Sequence, residues 1–254
     1  MPIDLTVALI NATVQIDQQQ TDKLRLVGAG FLVSAPKPDG TPRTVLVTAA
    51  HLLKNFAGPD AQIGWRSQDP SGAWRFTPRP LPIRDGALQL WAEDPDHDIA
   101  AIEVKAPPEF ARAAVPLSWL AEEKDLKAAA IGPGDEMMAL GFPEGYAANK
   151  AGFPIVRVGW VASYPVTPVS EFQTFLLDFR VFTGNSGGPV FVTEDLRRRP
   201  GVAEAKGQFV AGMLIKESMA GSERLELGVV AQATFIRRTI GLLDHPPAGA
   251  APPP

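Results

Sequence analysis

A chain of 254 residues, 45% hydrophobic and 20% charged, has apolar side chains enough for one large domain or two packed halves and too few charges for disorder. Its 24 lysines and arginines against 28 aspartates and glutamates leave a net charge of −4, so no positive surplus is available for a nucleic-acid backbone or an anionic membrane. Cysteine is absent and histidine is limited to His51, His97 and His245, which excludes disulfides, thiolate chemistry and zinc-thiolate sites, leaves no metal or other cofactor expected, and assigns any chemistry to oxygen and nitrogen groups.

The amino terminus, Met1-Pro2-Ile3-Asp4-Leu5, lacks the basic region of a signal peptide, and the apolar stretch at residues 7–10 is too short to be one. No segment approaches the roughly 18 unbroken apolar residues of a membrane helix. A soluble, cytoplasmic chain is expected. Proline at 25 residues and glycine at 23 exceed ordinary usage of about 5% and 7% and favour many turns. From residue 24 short apolar runs alternate with turn residues, the pattern of strands. Residues 24–34 and 44–50 read as a hairpin across the turn-rich segment 35–42. Residues 74–83 are a further strand, barred from a central position by three prolines that cannot donate to a ladder. Residues 99–104 are a cleaner one.

Residues 105–134 lose strand character, and 121–130 reads as a helix ended by Pro133 and Gly134. The predicted organisation is a first β-barrel over 1–115, a connector over 116–134, and a second barrel over 135–243. Six strands are expected in the second half, at 137–141, 155–162, 174–180, 189–192, 208–215 and 225–230. Phe235, Ile236, Ile240 and Leu243 follow at near-helical spacing, so residues 232–243 read as a terminal amphipathic helix. Residues 244–254 read as a disordered tail rich in proline and alanine, and the charged run 194–201 as a solvated loop.

Gly184-Asn185-Ser186-Gly187-Gly188-Pro189 carries the chemistry. Glycines on both sides of a serine give it backbone freedom and room for another chain, although a tight turn before a strand explains them too. A serine hydroxyl attacks at neutral pH only when an imidazole takes its proton, and that imidazole needs a third group to orient it. Of the histidines only His245 follows Ser186, and it abuts the proline tail. The order serine, acid, histidine of α/β-hydrolase esterases therefore fails. The order histidine, aspartate, serine is met by His51, Asp98 and Ser186. Asp94 and Asp96 compete for the acid, but Asp98 directly precedes an apolar strand. His97, on the opposite side of an extended chain, is expected at the surface.

Gly28-Ala29-Gly30-Phe31-Leu32-Val33, Val47-Thr48-Ala49-Ala50-His51, His97-Asp98-Ile99-Ala100 and Gly184-Asn185-Ser186-Gly187-Gly188-Pro189 together resemble the trypsin-like, chymotrypsin-fold serine proteases, most closely the bacterial HtrA/Deg-like branch. The resemblance extends over roughly residues 5–243. It implies an all-β fold of two antiparallel six-stranded barrels with a C-terminal helix, His51 and Asp98 from the first barrel, Ser186 from the second, and a cleft between. It implies a serine endopeptidase acting on protein or peptide through an acyl-enzyme, with the Gly184 and Ser186 N–H groups as oxyanion hole. Asn185 stands where digestive trypsins have the aspartate that pairs with a new amino terminus, so no such zymogen step is expected, and no room remains for a PDZ domain. The pocket for the substrate side chain falls to the segments before and after the nucleophile, with Arg180, Phe182, Met213, Leu214 and Lys216 as candidates. Arg180 or Lys216 at its base would favour acidic substrates; Phe182, Met213 and Leu214 would make it apolar. A second reading is an effector or binding module that stays inactive until a regulatory protein partner orders the 184–186 loop.

Overall fold

The computed structural model describes residues 4–193 and 207–244. The charged run at 194–201, His245 and the proline-rich tail lie outside them. Helix α1 (Leu5–Ala12) begins where Asp4 accepts the Val7 N–H at 3.2 Å and ends at Thr13, whose extended backbone runs directly into β1 (Thr13–Gln19). There follow β2 (Arg25–Ser34), β3 (Thr44–Ala49), helix α2 (Ala50–Asn55), β4 (Asp60–Gln68), β5 (Trp74–Pro82), the small hairpin β6 (Arg84–Asp85) and β7 (Leu88–Gln89), β8 (Ala92–Asp94) and β9 (Ile99–Glu103). Helix α3 (Pro108–Ala113), β10 (Val115–Pro116) and helix α4 (Glu123–Ala128) lead to β11 (Glu136–Gly141), β12 (Ile155–Val161), β13 (Thr174–Asp178), β14 (Pro189–Val192), β15 (Phe209–Ala220), β16 (Glu223–Gln232) and helix α5 (Ala233–Gly241).

The second half closes as expected into a six-stranded barrel, β11-β12-β13-β16-β15-β14. The first half differs in detail. It is an eight-stranded sheet with the order β5-β4-β1-β2-β3-β9-β8, β10 joining β2 in parallel, and its ends do not pair. Pro78, Pro80 and Pro82 share one parity along β5, so their missing N–H groups fall on one edge. The ladder to β4 runs from Asp60↔Pro82 to Gln68↔Trp74, so the donorless edge is the outer one and no strand can add there.

Strands β1 and β4 have no counterpart in the sequence reading. In β1 the polar residues Gln15, Asp17 and Gln18 are buried beside Val14 and Ile16, which hides the alternation. They are satisfied individually: Arg25 grips Asp17 with Nε at 2.9 Å and Nη2 at 2.8 Å, and Gln15 Nε2 donates to the Gly145 carbonyl at 3.0 Å.

The two halves share one continuous apolar core. Arg66 of β4 lies across their junction, 1% exposed. Its guanidinium donates to the carbonyls of Thr13 (2.9 Å), Gly152 (3.1 Å), Ile10 (3.2 Å) and Asn11 (2.8 Å), between the rings of Phe110 and Phe153. Three of those carbonyls belong to the end of α1 and the start of β1, where orphan acceptors collect; the fourth belongs to the second half. Burial pulls the guanidinium down to about 10, still protonated at neutral pH. The buried Arg43 reaches Asp244 at 2.6 Å, just beyond α5. Among the described residues no helix is long and apolar enough to cross a membrane.

Arg66→Met should take this donor from four carbonyls, those of Thr13 and Gly152 in buried bonds and those of Ile10 and Asn11 in part-buried ones, and destabilise the fold by about 3–5 kcal/mol. A lower urea midpoint with an unchanged slope is the expected result.

Candidate active site

β3 ends at Ala49 and the chain turns into α2, so His51 stands in the first turn of a short helix. Ala49, at the cap position, has no side chain able to accept from the first turn. Asp98 does that work from the turn just before β9: Oδ1 accepts the His51 backbone N–H at 2.7 Å, and its own carbonyl accepts the Ala50 N–H at 3.0 Å. The remaining oxygen, Oδ2, is 2.6 Å from His51 Nδ1. To reach all three groups Asp98 adopts φ 56°, the left-handed region that aspartate tolerates better than most residues. An Nδ1 held against a carboxylate carries the ring proton, which leaves Nε2 as an acceptor.

Ser186 sits in a turn wedged between the two halves. Its carbonyl accepts the Ala29 N–H of β2 at 2.9 Å, and the Gly187 N–H donates to Leu214 of β15 at 2.8 Å. Gly187 has φ +89°, and a Cβ there would lie 2.0 Å from the Ala29 carbonyl oxygen and 2.5 Å from Thr48 Oγ1. Only glycine fits so close a backbone approach. Asn185 folds back on the loop, its N–H donating to Phe182 at 3.0 Å while Oδ1 accepts the Phe182 N–H at 3.2 Å.

The Thr183 carbonyl accepts the Glu144 N–H at 2.6 Å. In a trans peptide the carbonyl and the following N–H point in opposite directions, so this bond turns the Gly184 N–H away from Glu144. Among the described residues neither the Gly184 nor the Ser186 N–H donates to any protein group.

His51, Gly184 and Ser186 line one open cleft of about 310 Å³. Among the described residues no hydrogen bond joins Ser186 Oγ to His51 Nε2; contacts of this kind commonly shorten only when substrate is bound. Of the five candidates for the side-chain pocket, Phe182 and Lys216 line the cleft, whereas Arg180, Met213 and Leu214 do not. Arg180 lies outside it, 3.5 Å from Glu226 with both side chains more than half exposed, so it is no pocket base. Met213 and Leu214 are buried in the apolar core, and β15 shifts register just beyond them, between Leu214 and Lys216. The bulge makes Ile215 an extra residue and moves the cleft wall one step along the strand. Val181 and Ile215, within the segments expected to form the wall, also line the cleft, and Glu217 and Arg224 line it unanticipated, as do Leu26, Val27, Leu52 and Asn55 from the first half.

His97, expected at the surface, is buried. Residues 95–98 form turns rather than extended chain, so alternation does not apply. Its Nδ1 is 2.8 Å from Asp94 Oδ1, both side chains 4% exposed, and its ring stacks on Phe235 of α5 at 3.5 Å and 14°. Asp94 therefore ends β8 as the partner of His97, and the helix of the second half braces the residue next to Asp98.

The family model for the trypsin-like peptidase domain matches residues 28–196, well over half of the chain. The stretch runs from β2 through the Ser186 turn, and the chain belongs to this family. Its members are peptidases, hydrolases that act on proteins or peptides. No curated protein matches the sequence.

Gly187→Ala should push the turn off the β2 backbone and cost about 1–3 kcal/mol, the range for overpacking at an unyielding site. A lowered denaturation midpoint, with faster amide exchange at Ala29 and Gly187, checks it.

Proposed function

We propose that the protein is a serine endopeptidase that cleaves through an acyl-enzyme, with Ser186 as nucleophile, His51 as base and acid, and Asp98 as the group that orients His51. The observation that carries this reading is the three-point hold of Asp98 on the His51 turn, which presents Nε2 at the cleft that Ser186 lines.

Ser186 Oγ would attack the scissile carbonyl carbon as its proton passes to His51 Nε2. The imidazolium formed is stabilised by the Asp98 carboxylate at Nδ1. The carbonyl oxygen, now carrying the negative charge, would turn toward the undonated N–H groups of Gly184 and Ser186, an arrangement worth about 2.7–4 kcal/mol per donor. His51 then protonates the leaving amine, and a water activated by the same nitrogen releases the acyl group. No step calls for a metal or cofactor.

The alternative, a module that waits for a partner to order the 184–186 loop, is disfavoured by the Thr183–Glu144 bond and the Ser186–Ala29 bond, which hold that loop in the isolated chain. Asn185 in place of the trypsin aspartate supports a position on the HtrA/Deg-like side of the family.

Ser186→Ala should abolish casein hydrolysis and fluorophosphonate labelling while leaving the fold intact; undiminished labelling contradicts the assignment of the nucleophile. Asp98→Asn should lower kcat by about 10⁴-fold, because an amide holds the imidazole in the wrong tautomer. A loss of less than tenfold would remove Asp98 from the triad.

A further inference from the structure

We propose that Arg224 and Glu217 form a latch across the cleft that restricts the residue on the acyl side of the scissile bond to small, uncharged side chains. This rests on the endopeptidase reading above and names the substrate class of that site. One wall of the cleft is the segment Val181, Phe182, Thr183 and Gly184 leading to Ser186; the other is Ile215, Lys216 and Glu217 on β15. Arg224, reaching in from β16, donates Nη2 to the Val181 carbonyl at 2.9 Å and Nε to Glu217 Oε2 at 2.5 Å. One planar guanidinium thus ties the first wall to the second, and its fixed fork permits both bonds at once.

The latch is anchored at its Glu217 end, while the Arg224 side chain is 45% exposed. The Glu217 side chain is only 10% exposed, and Oε1 is buried with no hydrogen-bond partner among the described residues. Its charge is therefore compensated by Arg224, and swinging Arg224 aside for a bulky substrate would leave a buried carboxylate unpaired. Two register shifts in β15, between Leu214 and Lys216 and between Glu217 and Met219, flank Lys216 and Glu217. Bulges of this kind re-aim side chains beside sites.

Charge selection follows from the same pair. With Arg224 and Glu217 neutralising each other, a charged substrate side chain entering between the walls would lose hydration against a guanidinium and a carboxylate that are already paired, leaving Lys216 as the further charged group on the lining. Lys216 is exposed at the rim, where an ion pair is worth little, and Arg180 is engaged outside by Glu226. The room left is also limited, since the cleft of about 310 Å³ extends to His51, Leu26, Val27, Leu52 and Asn55 on its other side.

A peptide library cleaved by the wild type, Glu217→Gln, Arg224→Gln and the double variant Glu217→Ala/Arg224→Ala tests the latch. The wild type should cut after Gly, Ala or Ser at least about tenfold better than after Phe, Lys or Asp, the discrimination that pocket size and unpaired polar groups provide. Glu217→Gln frees the cation and should raise cleavage after Asp and Glu. Arg224→Gln frees the carboxylate and should raise cleavage after Lys and Arg. The double variant should admit Phe and Leu. If Arg224→Gln does not fold, Glu217→Gln and the double variant, which leave no uncompensated carboxylate, carry the test. A wild type that accepts large residues as well as small ones, or folded variants that keep the wild-type profile, overturns the latch. Fluorophosphonate labelling separates the two levels: a labelled enzyme with the wrong profile overturns the latch alone, and an enzyme that neither labels nor cleaves overturns the endopeptidase reading with it.

Discussion

Everything at the cleft depends on one close backbone approach, the Ser186 turn seated between β2 of the first sheet and β15 of the barrel. The Ser186 carbonyl is bound by Ala29, the Gly187 N–H by Leu214, and the space where Gly187 would carry a Cβ is taken by the Ala29 carbonyl and Thr48. A side chain at that position would separate the halves. With glycine there, the serine is fixed relative to the sheet that also positions Asp98 and α2, so residues from opposite ends of the sequence meet without a flexible link between them. Functional side chains held by rigid elements keep their geometry better than side chains on free loops.

The other tie points serve the same registration. Arg66 binds the end of α1 and the start of β1 to Gly152 of the second half, Arg43 binds the first half to Asp244 beyond α5, and Phe235 of α5 stacks on His97. The last contact matters most for chemistry, because His97 precedes Asp98, a residue held at positive φ. A strained residue persists only where its surroundings over-determine it. Here the surroundings are the α2 amides on one side and the α5 stack on the other. A cysteine-free chain thus joins its halves by a shared apolar core, buried guanidinium groups and aromatic contacts such as His97 on Phe235 and Trp74 on Phe153, without disulfides.

The strands whose apolar residues run continuously, β2, β3, β9 and most of the barrel, are legible from sequence, and so is the edge position of β5 from its prolines. Strand β1 is not, because Gln15, Asp17 and Gln18 are buried and satisfied by partners distant in sequence. His51, Asp98 and Ser186 each stand in a short local motif, and the fold brings His51 and Ser186 to one cleft, with Asp98 held against His51 Nδ1. The lining of that cleft was less accessible. Met213 and Leu214 are buried in the core, and the register shift that follows them, between Leu214 and Lys216, has no signature in an apolar run. Arg224 reaches Glu217 and Val181 from β16, a tertiary contact that no spacing encodes, and His97 is internal because of turns that an assumption of extended chain passes over.

In the proposed reaction Ser186, His51 and the Gly184 and Ser186 amides act on one carbonyl in the cleft. A crystal structure of the protein after reaction with a fluorophosphonate tests this directly. Phosphorus should be bonded to Ser186 Oγ, its phosphoryl oxygen about 2.7–3.1 Å from both the Gly184 and Ser186 nitrogens, and His51 Nε2 beside the adduct. Phosphorus on another residue, or a phosphoryl oxygen turned away from both amides, would contradict it.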